Sequence, residues 1–203
     1  MGEGERSPRR GRPRADPATT RRRLLDAASA QFEEHGYHGT DTNKIARAAG
    51  LAPATFYRHF DDKLAVFLDT YAARVEAEWE VIEAARRTTG TPAEVARAIA
   101  TAMLEHHARW RGVRASMHAL VATDERARRA GDALRRRQIE RLGALVDPGT
   151  GLAAEELTFS FLAIERANNA VTDGDLDAFG VDRAAFVARL EREIVHLLTG
   201  ERS

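Results

Sequence analysis

Apolar side chains recur at three- and four-residue spacing almost from end to end of this chain, the signature of amphipathic α-helices. Asp16-Pro17 sets a capping residue before a proline suited to the first helical position. Leu24, Leu25, Ala28 and Phe32 follow at helical spacing and Gly36 can close the segment, so a helix is expected over 17–35. Thr40 can cap a short helix over 41–49, with Ile45, Ala46 and Ala49 inward and Gly50 ending it. Only Gly50-Leu51-Ala52 separates it from Pro53, which suits the start of another short helix over 53–60. Asp62 can cap a long helix over 63–86, striped with Leu64, Leu68, Tyr71, Val75, Trp79 and Ile82. At about 1.5 Å per residue it spans roughly 35 Å, enough to connect two subdomains.

After the break at Thr89-Gly90-Thr91-Pro92, a helix over 92–109 carries Val95, Ile99, Ala102, Met103, His106 and Trp110 on one face. A shorter piece covers 113–121, and Thr123 or Asp124 caps an Arg-rich helix reaching Val146. Residues 147–151 read as a turn. The helix over 153–171 is apolar almost all round at first, through Leu157, Phe159, Phe161, Leu162 and Ile164. A loop at 172–181 leads to a last helix over 182–199, striped with Phe186, Leu190, Ile194 and Leu197. There is no convincing period-two run and no internal repeat. The chain reads as all-α, with about nine helices.

Composition narrows the function classes. The 203 residues hold 31 basic and 31 acidic side chains, so a chain-wide cationic footprint is excluded. Charge is instead local: residues 6–23 carry eight arginines against one acid, Asp16. Residues 1–15 hold nothing to bury and are expected to be a disordered basic arm. The absence of Cys removes disulfide scaffolds, thiolate zinc sites and cysteine nucleophiles. With no run of about 18 apolar residues and no apolar core in the first 23, neither a membrane span nor a secretory signal is expected, and the location expected is cytoplasmic.

Two short helices hinged at a glycine make the geometry of a helix-turn-helix, whose second helix enters the major groove. Ile45, Leu51 and Phe56 are placed for a small core. Ala54, Thr55, Tyr57, Arg58 and His59 are left outside to meet phosphates or base edges. The stretch from Gly36-Tyr37-His38-Gly39-Thr40 through Ile45-Ala46-Arg47-Ala48-Ala49-Gly50 and Thr55-Phe56-Tyr57-Arg58-His59-Phe60 to Lys63 resembles the N-terminal DNA-binding domain of the TetR/AcrR family of bacterial transcriptional regulators. The resemblance covers residues 20–80. It implies a helix-turn-helix domain over 16–62 and a helical ligand-binding and dimerisation domain over 63–203. It also implies DNA contacts: Thr40 as cap and phosphate contact, Thr55 and Tyr57 on the recognition helix with Arg58 or His59 beside them, and Lys63 as phosphate anchor. Thr42, Asn43, Lys44, Pro53 and Ala54 complete the candidate DNA surface. Two positions depart from the family's pattern: Ala52 stands where a capping Ser is usual, and Thr42 where an apolar residue is usual.

Arg10-Gly11-Arg12-Pro13-Arg14 resembles the core of an AT-hook, in which arginines enter a narrow A·T minor groove; a non-specific phosphate clamp is the alternative. His106 lies mid-stripe, as a core histidine or as a polar group of a ligand pocket. His107 points about 100° away, so the pair is not expected to share a metal. Trp79, Met103, Trp110, Met117, His118 and Phe161 are candidate pocket liners by type, against an ordinary core role. Asn168 shares the face of Leu157, Phe161 and Ile164 and needs a partner: a dimer contact, an internal cap or a ligand. Asp173-Gly174-Asp175-Leu176-Asp177 begins like a calcium loop, but Ala178 and Ala184 replace the required Gly and Glu, leaving a polar loop. No catalytic motif is found, and no cofactor or metal is expected.

The leading expectation is a homodimeric repressor of a palindromic operator in double-stranded DNA, released by a small, largely apolar effector. The two last long helices of each subunit would form the dimer face. The alternatives are a small all-α ligand-binding or enzymatic protein, and an architectural minor-groove binder using only the arm.

Overall fold

The computed structural model describes residues 16–201; the basic arm, with Arg10, Arg12 and Arg14, lies outside the described residues. Within them the chain forms ten α-helices and no strand: α1 Pro17–His35, α2 Thr42–Ala48, α3 Pro53–Phe56, α4 Lys63–Arg86, α5 Pro92–Arg109, α6 Arg111–Thr123, α7 Glu125–Leu145, α8 Ala154–Asp173, α9 Asp175–Ala178 and α10 Arg183–Thr199. A single 3₁₀ turn, Pro148–Thr150, separates α7 from α8.

The starts of the helices are written in short polar side chains. Asp16, Asp41, Asp62 and Asp182 each accept a hydrogen bond from a backbone N–H three residues on, and Thr91 with Glu94 closes a capping box on α5. The cap of α2 is therefore Asp41, not Thr40. Thr40 is buried and donates its hydroxyl to the Gln31 carbonyl, tying the entry of α2 back to α1. Asp124, accepting from Arg126 N and Ala127 N, starts α7.

Three boundaries differ from expectation. The recognition segment is one turn of α-helix, ending at Phe56, and continues as turns to His59. The piece over 113–121 is longer, with only Trp110 separating α6 from α5. The stretch over 172–181 is not all loop: α8 runs to Asp173, Gly174 takes a left-handed conformation (φ 84°), and α9 follows. Leu176 is the buried anchor that holds α9 in place.

Two main cores result. The first joins Leu24, Ala28 and Phe32 of α1 with Ile45, Phe56 and Phe67, and also takes in Trp110, Val113 and Met117 around α6. Phe32 and Phe67 meet edge to face, 5.0 Å between ring centres. The second joins Val95, Ile99 and Met103 of α5 with Ile164 of α8 and Leu190, Ile194 and Leu197 of α10. Val75 and Trp79 of α4 pack with Leu134 of α7 between them. The boundary expected after residue 62 is thus crossed by continuous packing, because α4 and α6 contribute to the same core as α1–α3.

Candidate nucleic-acid interface and effector cavity

The α2–turn–α3 unit is held from inside by Ile45, Ala46 and Phe56, none with any exposed surface. Gly50 supplies the left-handed turn (φ 65°), and Leu51 N donates to Ala46 O at 2.9 Å. Arg23 of α1 donates to Ala49 O at 2.6 Å, satisfying an end carbonyl of α2. Arg21 pairs with Asp69 and lies 4.8 Å from the centre of the Phe60 ring. Two of the arginines counted in the basic N-terminal stretch are therefore structural, and the free cationic character of that stretch is smaller than the residue count suggests.

On the outer side, Asn43, Lys44, Pro53, Ala54, Tyr57 and Arg58 are exposed, and Thr42, Thr55 and His59 half-buried. Tyr57 keeps 58% of its surface exposed although it follows the buried Phe56. Its hydroxyl lies 3.0 Å from the hydroxyl of Thr42, joining the start of α2 to the end of α3. Arg58 donates to the Thr55 hydroxyl at 3.2 Å, and Lys44 to the Gly39 carbonyl at 2.8 Å. The polar residue Thr42, unexpected for the resembled family, is thereby explained: it orients Tyr57. Ala52 caps α3 with no side-chain hydrogen bond, and Pro53 at the first helical position is the local aid that remains.

Lys63 does not stand free as an anchor. Its Nζ donates to the carbonyls of Tyr37 (2.9 Å) and Thr40 (3.0 Å) and sits 4.1 Å from the centre of the Tyr37 ring. Burial holds its ammonium below the usual lysine range, opposed by Asp41. These bonds lock the α1–α2 connection onto α4. No sequence pattern distinguishes a lysine turned to phosphate from one turned to main-chain carbonyls.

A cavity of about 270 Å³ opens between α4, α5, α7, α8 and α10. Of the eight candidate liners, Trp79, Met103, His106, Trp110, Phe161 and Asn168 border it. Met117 and His118 do not. Met117 is buried in the first core, and His118 is exposed, because α6 turns those positions toward α1–α4 and solvent. The sequence pattern did not disclose the polar end of the cavity: Tyr71, Arg74, Glu78, His107, Arg114 and Glu165. Spacing could have found part of it, since Tyr71, Arg74 and Glu78 share a helical face. Arg114 carries no such signal.

Those polar groups satisfy one another. Arg114, buried, donates to His107 Nδ1 and to the His107 carbonyl, both at 3.0 Å, and pairs with Asp173. An arginine can only donate, so His107 carries its proton on Nε2 and donates it to Glu78 Oε1 at 2.7 Å. Glu165 accepts from Arg135 at 3.2 Å. Arg74 stacks 3.5 Å from the centre of the Trp110 ring and donates to the Ser29 hydroxyl of α1. Burial, with Glu165 and Glu78 adding, pushes the Tyr71 phenol up to about 12. Burial lowers the His106 imidazole, favouring its neutral form. Among the described residues no group of three or more His, Cys, Asp and Glu could hold a metal ion. Nor is any helix there long and apolar enough to cross a membrane.

The family model of bacterial regulatory proteins of the tetR family matches residues 24–70, which span α1, the helix-turn-helix and the start of α4. This helix-turn-helix segment is similar to the N-terminal domain of tetR-family bacterial regulatory proteins. Beyond that segment the likeness is one of fold, an N-terminal helix-turn-helix followed by a C-terminal helical domain. The chain is 33% identical over 116 residues, 57% of its length and 49% of the relative's, to the transcriptional repressor BepR of Brucella suis biovar 1. It is 36% identical over 89 residues, 42% of its length and 41% of the relative's, to the transcriptional activator FasR of Mycolicibacterium smegmatis. The aligned stretches thus span less than half of these relatives. Among solved structures, a transcriptional regulator from Rhodococcus sp. Rha1 superposes with a TM-score of 0.66 at 19% identity, covering 90% of this chain and 98% of that one. The fatty acid degradation regulator FadR from Bacillus halodurans superposes with 0.62 at 19% identity, covering 87% and 94%. These two likenesses concern the fold.

Proposed function

We propose that this chain is a transcriptional regulator of the tetR family, a homodimer that represses from a palindromic operator and is released when a small, largely apolar molecule fills the cavity. The observation that carries the reading is Trp110. It is packed in the core shared with the helix-turn-helix, it borders the cavity, and it is stacked on Arg74, which reaches back to Ser29 of α1. A ligand that favours one position of Trp110 and Arg74 biases α1, and with it the recognition surface; only such differential affinity can shift the equilibrium.

The DNA-binding surface in this reading is Thr42, Asn43, Lys44, Pro53, Ala54, Thr55, Tyr57, Arg58 and His59, with the arm of Arg10, Arg12 and Arg14 in the adjacent A·T-rich minor groove. The exposed Tyr57 beside small side chains favours methyl and hydroxyl contacts over bidentate base pairs. The second subunit covers α8 and α10: Phe159 (70% exposed) and Leu162 (44%) lie on the outer side of α8, more apolar surface than a lone subunit comfortably leaves open. The test is fluorescence anisotropy on DNA from the gene's own upstream region at a salt concentration of about 150 mM, where non-specific phosphate binding is already weakened. Tyr57→Ala is expected to weaken binding at least tenfold, and deletion of residues 1–15 to weaken it most on A·T-flanked sites. Sequence-independent binding, or a single-subunit mass at every concentration, would overturn the reading.

A further inference from the structure

Among the described residues bordering the cavity, one fully buried polar side chain is satisfied by nothing in the protein. Asn168 is fully buried on α8, and neither its amide oxygen nor its amide nitrogen has a hydrogen-bond partner. Buried amides are nearly always paired, so this one marks a site for a partner that the chain itself does not supply. Its terminal torsion is broad and soft, so the amide can turn to meet a group that enters beside it.

The charges around it point the other way. Glu78 is taken by His107, Arg114 by Asp173, and Glu165 by Arg135. Burial lowers the His106 imidazole, opposed by Glu78 and by a hydrogen bond to the Arg74 main chain. At this polar end Arg74 is the described cation without a carboxylate at ion-pair distance, and its guanidinium is covered by Trp110 and turned to Ser29. A charged ligand group would lose its water in exchange for partners already engaged, which is costly. Away from this end the wall is mostly apolar, through Val75, Trp79, Ile99, Leu142, Phe161 and Ile194, interrupted by Gln138 and by Arg86 and Asp147, whose side chains are exposed to water. The lining residues of α4 run from Tyr71 to Arg86, about 22 Å along the helix at 1.5 Å per residue, against a volume of about 270 Å³, so the space is long and narrow.

We infer that the effector is a slender, uncharged molecule with a mostly apolar body and one polar end, an amide or a hydroxyl that both donates and accepts, and that Asn168 reads that end. This rests on the cavity's being the effector site.

A matched series tests it: 1-decanol, decanamide, decanoate and decylammonium, titrated into the full-length protein by calorimetry and, in parallel, into the protein–operator complex by anisotropy. Decanol and decanamide are expected to bind at least tenfold more tightly than the two ions. In Asn168→Leu the affinity for decanol and decanamide should fall at least tenfold, while the melting temperature rises because an unpartnered buried amide has gone. Asn168→Ala, which removes the amide without adding volume, must lose that affinity likewise, so a misfolded Leu variant does not rescue the inference. Decanoate or decylammonium binding as tightly as the amide, no binding by any of the four, or an affinity for decanol and decanamide that survives both substitutions would overturn it. Decanoate binding lost in Arg74→Met would assign the site to an anion instead. Tight binding of decanol or decanamide with no change in operator affinity would leave the site standing and refute the effector reading alone.

Discussion

Lys63 is the residue at which the resemblance and the geometry assign different jobs, and replacing it by Met separates them. Methionine keeps an unbranched stem against Tyr37 and removes only the ammonium. The group lost makes two hydrogen bonds to main-chain carbonyls, at 2.9 and 3.0 Å, and lies 4.1 Å from an aromatic ring centre. A hydrogen bond to a charged group contributes about 1.5–3 kcal/mol when buried, and a partly exposed cation–π contact about 0.5–1 kcal/mol. Lys63 is only half-buried and its carbonyl acceptors partly recover water, so the sum reduces to roughly 2 kcal/mol. At about 2–4 °C per kcal/mol for a chain of this size, the melting temperature falls by roughly 4–8 °C. A lysine on a phosphate would instead change DNA binding: the slope of log K against log salt would drop by about 0.9. The assay is thermal unfolding without DNA, together with anisotropy over salt concentrations from about 50 to 300 mM. We expect the destabilisation and an unchanged slope. A variant that melts within about 1 °C of the parent but loses about one counterion from its slope would refute the structural role.

Asp62 caps α4 and accepts from Arg126 of α7 at 2.6 Å, which holds its carboxyl below the usual carboxylate range. Asp62→Ala should cost about 1–2 kcal/mol, mostly the cap, and a double-mutant cycle with Arg126→Ala should show little coupling because water screens both half-exposed side chains. Ser at position 52 adds the missing side-chain cap of α3; Ala52→Ser should raise the melting temperature by about 2–4 °C, for a cap worth about 1 kcal/mol. His106 is lowered by burial, so the folded state resists the proton that the unfolded chain takes up near pH 6.5. Its contribution is intact above that pH and is lost as the pH falls from there toward the folded value. His106→Gln should therefore flatten the stability profile between about pH 7 and 5.5, and a parallel profile in denaturant titrations would count against the assignment.

Most of the helical course of the chain was legible, because its signals are local. Asp16, Asp62 and Thr91 announce helix starts through hydrogen bonds three residues long, and Gly36 and Gly50 announce stops through a conformation that other residues adopt at a cost. The helix-turn-helix was equally readable, since Ile45, Ala46 and Phe56 lie within twelve positions and form their own small core. Six of the eight pocket candidates border the cavity, because bulky residues on the inner faces of α4, α5 and α8 converge wherever those helices pack. What only the tertiary structure decided is where each polar side chain spends its hydrogen bonds. Thr40 and Lys63 look like ligands for DNA, and Arg21 and Arg23 like free cations of the basic stretch, until Gln31, Tyr37, Asp69 and Ala49 are seen beside them. Arg114 and His107 form one network through Glu78 and Asp173, which lie 95 residues apart in the chain. Hydrophobic periodicity is a property of one helix and survives in the sequence. The partner of a buried charge belongs to the packing of several, and no spacing along the chain encodes it.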